Sequence, residues 1–408
     1  MNCIFRVPRA AHLTVAAVLL ASAAGLTSLP VAAQQTAASE SCQGQGMFAT
    51  ARYEAVEVLQ DHRVTFRICA PAATDVRVVS SDIADIIPMG FPAGTPVGLV
   101  MAKDATGLWS VTTAQPVPSD TYRFNFQVDG ARVPNPSATE FSAERTGINS
   151  LFEVPGPDGA FQTWQRGIEH GVLSEIEYWS DSIGAKRRAH VYTPPGYMDG
   201  NTSFPVLYLV HGAGDSDDSW GTVGRANNII DNLLAAGDAK PMIIVMPFGH
   251  TPDRGQQNML NNNDFGNDLI NDLMPFVEGH FRTLQGPENR AMAGLSMGGA
   301  HTIRNGLPRS DLFDYIGIFS MGLGVVGGND QVAEYTAQND AALRRSAENL
   351  KLVYYAIGKD DFLYGTVAPT RAMLDEYGID YVYHESAGGH TWINWRRYLQ
   401  DFLPRLFR

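Results

Sequence analysis

The sequence predicts an α/β protein with a mainly parallel central sheet, preceded by a small antiparallel β-sandwich. Three observations predict this. Short alternating runs, punctuated by Pro, Gly and Asp, occupy residues 47–155. Continuous apolar runs then alternate with helical patterns over residues 170–408. A Pro/Gly cluster, Val154-Pro155-Gly156-Pro157, opens a linker over 156–169 between the two textures.

The N-terminus has the pattern of a secretory signal. Arg6 and Arg9 precede an apolar run from Leu13 to Leu26, and Pro30-Val31-Ala32-Ala33 offers small residues for cleavage. That run is shorter than the roughly 20 apolar residues of a comfortable membrane span. A signal peptide over 1–33, a polar leader over 34–46 and a secreted or periplasmic product are expected. Cys3 lies ahead of the apolar run, so it is not a lipid-attachment cysteine. Cys42 and Cys69 remain after processing. Export permits a disulfide between them; two unpaired thiols are the alternative, because spacing does not show proximity.

The 408 residues suffice for two or three domains, and 44% hydrophobic against 18% charged residues supports a sizeable core. A net charge of -13 disfavours nucleic acid and anionic lipid as partners.

In the first region, Val64–Cys69, Asp75–Val79, Trp109–Thr113 and Tyr122–Val128 alternate as half-buried strands. Asp129-Gly130 then reads as a hairpin turn, since glycine accepts positive φ. In the second region, Val172–Trp179 and Lys186–Thr193 suit an opening antiparallel pair. Pro205–Val210, Pro241–Met246, Arg290–Gly294, Tyr315–Phe319 and Leu352–Ile357 suit strands buried on both faces. Helices are expected over Arg225–Ala236, Phe265–Phe281, Pro369–Tyr377 and Trp392–Phe407.

Gly294-Leu295-Ser296-Met297-Gly298 lies between an expected strand and an expected helix. A serine on such a tight turn is an exposed nucleophile, and the flanking glycines remove Cβ atoms that would collide with neighbouring chain. The backbone N–H of Met297 is the first candidate oxyanion donor. The second is expected from the Gly-rich loop His211-Gly212-Ala213-Gly214-Asp215: Ala213, with Gly212 as the close alternative. His211 sits within that donor loop and ahead of the serine, so it reads as structural.

The nucleophile-elbow arrangement places an acid and then a histidine after the serine. Asp360 and Asp361 both follow a late strand, and Asp361 is preferred. His390, in Gly388-Gly389-His390-Thr391, is the expected base. His280 and His301 fall within helices and suit packed or surface roles, while His250 ends a strand and could line a pocket. No histidine or cysteine cluster has metal-ligand spacing, so neither a metal nor another cofactor is expected.

Together, Gly294-Leu295-Ser296-Met297-Gly298-Gly299, His211-Gly212-Ala213-Gly214 before Trp220, Gly358-Lys359-Asp360-Asp361 and Gly389-His390-Thr391-Trp392 resemble the esterase D / feruloyl esterase family. That is family one of the carbohydrate esterases, within the α/β-hydrolases, and the likeness covers about residues 170–408. It implies Ser296, Asp361 and His390 as a triad, the acid lying three residues after Gly358, with donors at Met297 and the Gly212/Ala213 loop. The implied activity is hydrolysis of feruloyl or acetyl esters on plant polysaccharide. The alternatives are a siderophore ester hydrolase or a non-catalytic glycan-binding protein. Val64–Ala72, Gly107–Val111 and Tyr122–Gly130 resemble the immunoglobulin-like modules fused to such esterases. On this likeness Trp109 and Tyr122 would stack on sugars or pack the sandwich core, or the module would simply buttress the esterase.

Overall fold

The computed structural model describes residues 41–43, 53–83, 86, 97–252, 263–324 and 329–408. The expected signal peptide and most of the leader lie outside the described residues.

Ten strands come first: β1 (Val56–Val58), β2 (Val64–Cys69), β3 (Val76–Val79), β4 (Leu99–Val100), β5 (Ala102–Lys103), β6 (Leu108–Thr112), β7 (Asp120–Val128), β8 (Ala131–Val133), β9 (Phe141–Glu144) and β10 (Gly147–Val154). They form two antiparallel sheets, ordered β1-β2-β6-β5 and β4-β3-β7-β10-β9, with β8 paired to β7. Alternate residues of β2, β3 and β7 point inward. Val64, Phe66, Ile68, Val76, Val78, Tyr122, Phe124 and Phe126 thus make one apolar core, which Trp109 and Val154 complete. Trp109 and Tyr122 are buried, at 7% and 1% exposure, so neither offers a face to a sugar. Cys42 is disulfide-bonded to Cys69 at the end of β2.

Asp129 and Gly130 both have positive φ, 47° and 85°. This is the two-residue turn that joins β7 to β8, with Val128 paired to Ala131. The Asp129 carboxylate accepts from the backbone N–H groups of Thr74 and Asp75, which fastens the turn to the start of β3.

Residues 157–162, within the expected linker, form a short 3-10 helix. Gln162 is buried there, donating to Asp120 of β7 and accepting from Asn228 through its carbonyl.

The rest of the chain builds one eight-stranded sheet, ordered β11-β12-β14-β13-β15-β16-β17-β18. Its strands are β11 (Val172–Ser180), β12 (Ala185–Thr193), β13 (Val206–Val210), β14 (Ile243–Pro247), β15 (Arg290–Leu295), β16 (Tyr315–Phe319), β17 (Leu352–Gly358) and β18 (Val382–Ser386). β11 pairs antiparallel with β12 and β12 with β14, and every pairing from β14–β13 to β17–β18 is parallel. Apolar residues occur at every position of β13 because both faces are covered. Val206, Tyr208 and Val210 enter one core, and Leu207 and Leu209 enter the other.

The helices are α1 (Ala226–Ala236), α2 (Asp264–Asn267), α3 (Met274–His280), α4 (Met297–Asn305), α5 (Asn329–Asn349), α6 (Val367–Tyr377) and α7 (Trp392–Phe402). A π-helical stretch, Asp268–Leu273, joins α2 to α3, so the expected helix over 265–281 is one continuous but irregular run. Among the described residues no helix is long and apolar enough to cross a membrane.

Candidate active site

Ser296 lies between β15 and α4 with φ 52° and ψ -117°, a conformation that a non-glycine residue adopts only under constraint. The constraint is visible. Its N–H donates to Phe319 of β16 at 2.9 Å, and its carbonyl accepts from Ala300 of α4 at 2.9 Å. The two glycines of the motif let strand and helix meet. A Cβ on Gly294 would lie 2.4 Å from the Gly298 carbonyl carbon, and one on Gly298 would lie 2.3 Å from the Val210 oxygen. The turn places Ser296 at the first residues of α4, where unpaired N–H groups favour negative charge. The Met297 N–H is one of these.

Two strands further along the sheet, the loop after β17 carries Asp360 and Asp361. Asp360 is exposed, whereas Asp361 is 4% exposed. Asp361 accepts from the Leu363 N–H at 2.9 Å. Its two carboxylate oxygens lie 3.0 and 2.9 Å from His390 Nδ1, in the loop after β18. A carboxylate facing Nδ1 requires the proton there, which leaves Nε2 as the free base. Phe362 and Trp395 flank the imidazole at ring distances of 4.5 and 4.9 Å. Trp395 in turn donates to Ser320, the residue after the Phe319 that holds Ser296. The structure thus joins Asp361 to His390 and sets Ser296 at a nearby strand end. No hydrogen bond between Ser296 and His390 occurs among the described residues; such bonds commonly tighten only when substrate is bound.

The donor loop follows β13 and lies against the serine: a Cβ on Gly212 would come within 3.6 Å of Ser296 Cβ. The Gly212 N–H is already used, donating to Asp215 Oδ2 at 3.2 Å. Ala213 is exposed, and its N–H has no acceptor among the described residues. Of the two expected donors, the geometry leaves Ala213 available.

The other histidines have structural partners. His211 is buried, accepts from the Gly249 N–H and contacts the Gly212 carbonyl through Nδ1. Burial holds its pKa below the ordinary value. Burial likewise pushes His250 down to about 4 and His301 to about 3. Each donates Nε2–H to a backbone carbonyl, of Asp215 and Gly249 respectively. His280 bonds the Phe276 carbonyl within its own helix.

A second Asp–His contact, Asp217 with His190 at 2.8 Å, involves Ser216 in the wrong order. Its hydroxyl donates to Asp217 rather than to the imidazole. Burial opposes the charge on Asp217, but hydrogen bonds from His190 and Arg188 hold its carboxyl at about 2. Among the described residues no group of three His, Cys, Asp or Glu side chains could hold a metal ion.

One residue near the site has no signal in the sequence. Arg123 of β7 reaches across from the N-terminal sheets and pairs with Asp215 at 2.7 Å. Asp215 is the residue that occupies the Gly212 N–H.

A mainly parallel eight-stranded sheet, with a constrained serine between a central strand and its helix, defines the α/β-hydrolase class. Within that class the chain belongs to the putative esterase family, whose profile matches residues 180–406. It is similar to an endo-1,4-beta-xylanase/feruloyl esterase of Xylanibacter ruminicola, with 31% identity over 350 residues. That match covers 84% of this chain but only 44% of the relative, so the chain spans less than half of that protein's length. A ferulic acid esterase of the anaerobic fungus Anaeromyces mucronatus superposes with a TM-score of 0.53 at 27% identity, covering 62% of this chain and 96% of that one. The enterochelin esterase of Shigella flexneri superposes with a TM-score of 0.60 over 86% of this chain and 95% of its own, at 17% identity, a likeness of fold. The resemblance to feruloyl esterases that the motifs suggested is borne out by these matches.

Proposed function

We propose that the chain is an exported serine carboxylic-ester hydrolase that removes feruloyl or acetyl groups from plant polysaccharide of the xylan type, through an acyl-enzyme on Ser296. The observation that carries this reading is the buried Asp361 bonded to His390, on loops of the same sheet that holds a serine at φ 52° after β15. In this mechanism His390 Nε2 takes the Ser296 proton as the hydroxyl oxygen attacks the ester carbonyl. The N–H groups of Met297 and Ala213 receive the developing oxyanion, and Asp361 stabilises the imidazolium. Collapse expels the alcohol, which takes the proton from His390. Water then repeats the sequence on the acyl-enzyme and releases the acid.

The substrate class is supported by the relatives' names, one a xylanase/feruloyl esterase and one a ferulic acid esterase also solved with ferulic acid. Export is supported by the Cys42–Cys69 disulfide, which suits an oxidising compartment, together with the N-terminal signal pattern.

The test is a fluorophosphonate label followed by a turnover panel. The wild-type protein should be labelled and should hydrolyse methyl ferulate or acetylated xylan, and Ser296→Ala should do neither. Retained labelling in Ser296→Ala would overturn the nucleophile. Turnover of a catecholate trilactone alone would transfer the substrate to the siderophore class. Absence of labelling and turnover in the wild type would leave a binding protein on this scaffold.

A further inference from the structure

One of the side-chain pairs that join the N-terminal sheets to the rest of the fold ends on the donor loop. The Arg123 guanidinium is 8% exposed and clamps Asp82 through Nε and Nη2, at 3.0 and 2.8 Å. Its Nη1 crosses to Asp215 Oδ1 at 2.7 Å. Burial penalises the Arg123 charge, yet the two carboxylates outweigh this and raise its pKa. The other oxygen of Asp215 holds the Gly212 N–H.

The backbone repeats the same connection. Glu144 of β9 forms an antiparallel bridge with Asp215, and the Arg145 N–H donates to the Gly214 carbonyl at 3.1 Å. The guanidinium also lies 5.8 Å from the ring centre of Trp392, two residues after His390.

We propose that Arg123 is a positioning residue for ester hydrolysis, acting from the N-terminal sheets through Asp215 on the loop that presents the Ala213 N–H. The inference rests on the serine-esterase reading above. Its physical content is a chain of two bonds. Arg123 fixes the direction of the Asp215 carboxylate, and that carboxylate fixes the peptide plane immediately before the donor. An oxyanion donor acts through its direction, and a displacement of about 1 Å is costly. Without the guanidinium, Asp215 Oδ1 loses its charged donor, and the buried carboxylate is free to turn. The Gly212 N–H is then released and the loop loses its set geometry. The N-terminal sheets are accordingly part of the catalytic unit, whatever they bind.

The mature full-length chain carries the test. The variants are Arg123→Lys, Asp215→Asn and their combination, with Arg397→Gln as a control. Arg397 pairs with Asp120 of β7 and with the Ile393 carbonyl, and bonds no residue of the donor loop among the described residues. Lysine keeps the charge but has a single point of donation, so it cannot hold Asp82 on two sides and also reach Asp215. With 4-nitrophenyl acetate, Arg123→Lys should lose about 10–100-fold in kcat, with KM within about threefold of wild type.

Affinity for a trifluoromethyl ketone, which mimics the tetrahedral oxyanion, should fall by the same factor as kcat. The double variant should lose no more than the worse single variant, because both break one chain. Arg397→Gln should keep its kcat. An unchanged kcat in Arg123→Lys, a loss confined to KM, an unchanged ketone affinity or additive losses would each overturn the proposal. If Arg123→Lys fails to fold, Asp215→Asn decides by the same readouts. A wild-type protein that neither turns over esters nor takes the phosphonate label would sink the esterase reading itself. An active wild type with insensitive variants would sink only this inference.

Discussion

Asp361 and Asp360 are chemically identical neighbours with opposite surroundings. Asp361 faces His390 Nδ1 with both oxygens and also accepts from Leu363, whereas Asp360 faces solvent. Asp361→Asn presents an amide where the imidazole needs an acceptor, and the free base is lost from Nε2. Its kcat on methyl ferulate should fall on the order of 10³–10⁴-fold, as expected when the wrong tautomer is stabilised. Asp360→Asn should stay within about twofold, as an exposed substitution does. Equal losses in the two variants would place the acid elsewhere.

The sequence made the serine, the acid pair and the histidine legible, because glycine spacing and chain order follow from the turn itself. It favoured Ala213 over Gly212 without excluding the latter, because the choice depends on where the Asp215 carboxylate points. It contained no sign of Arg123, whose partners Asp82 and Asp215 lie 41 and 92 residues away in the chain.

At the level of elements, the elbow depends on contact between β15, α4 and β13. Gly298→Ala would set a methyl 2.3 Å from the Val210 oxygen and 2.8 Å from that of His211, both rigid backbone atoms. Strand and helix must separate, at a cost of about 1–3 kcal/mol or more. The donor loop starts at His211, so phosphonate labelling should slow together with a lower melting temperature. Normal labelling in a destabilised Gly298→Ala would show that the elbow tolerates the shift.

The buried parallel strands were the most legible elements, since a run that is apolar on both faces has few alternatives. α5 is not among the helices that the sequence predicts. Its 21 residues are mostly polar, and few of them face the core, Leu343 being one. β9 and β10 were also unrecognised. Asn149 and Ser150 of β10 are buried polar residues that bond Asn125, Arg132 and the Asn135 N–H, which breaks the apolar alternation.

Over the whole molecule, residues Ser41–Arg408 form one compact unit, and buried polar groups cross-link its sheets. Arg396 of α7 is fully buried, and its guanidinium reaches Asp120 and the Thr121 carbonyl of β7 as well as the Val223 carbonyl. Such a fold carries a pH liability around its active site. His211, His250 and His301 are buried together near the donor loop and α4, with pKa values depressed by burial, to about 4 for His250 and about 3 for His301. The unfolded chain takes up protons on these residues below an ordinary value of about 6.5, and the folded chain does not. Protons therefore favour unfolding. The stability these histidines confer is fully present above about pH 6.5 and declines as pH falls toward 4, by on the order of a few kcal/mol. Asp217 adds a loss in the same direction below about pH 4, as pH approaches its folded value of about 2. Urea unfolding should thus give a midpoint that is flat near pH 7–8 and drops between pH 6.5 and 4. His301→Gln keeps a donor for the Gly249 carbonyl but removes one titrating group, so its midpoint should fall less steeply over that interval. A wild-type midpoint that stays level down to pH 4 would mean that these histidines are protonated in the folded protein, in conflict with their single-acceptor, buried settings.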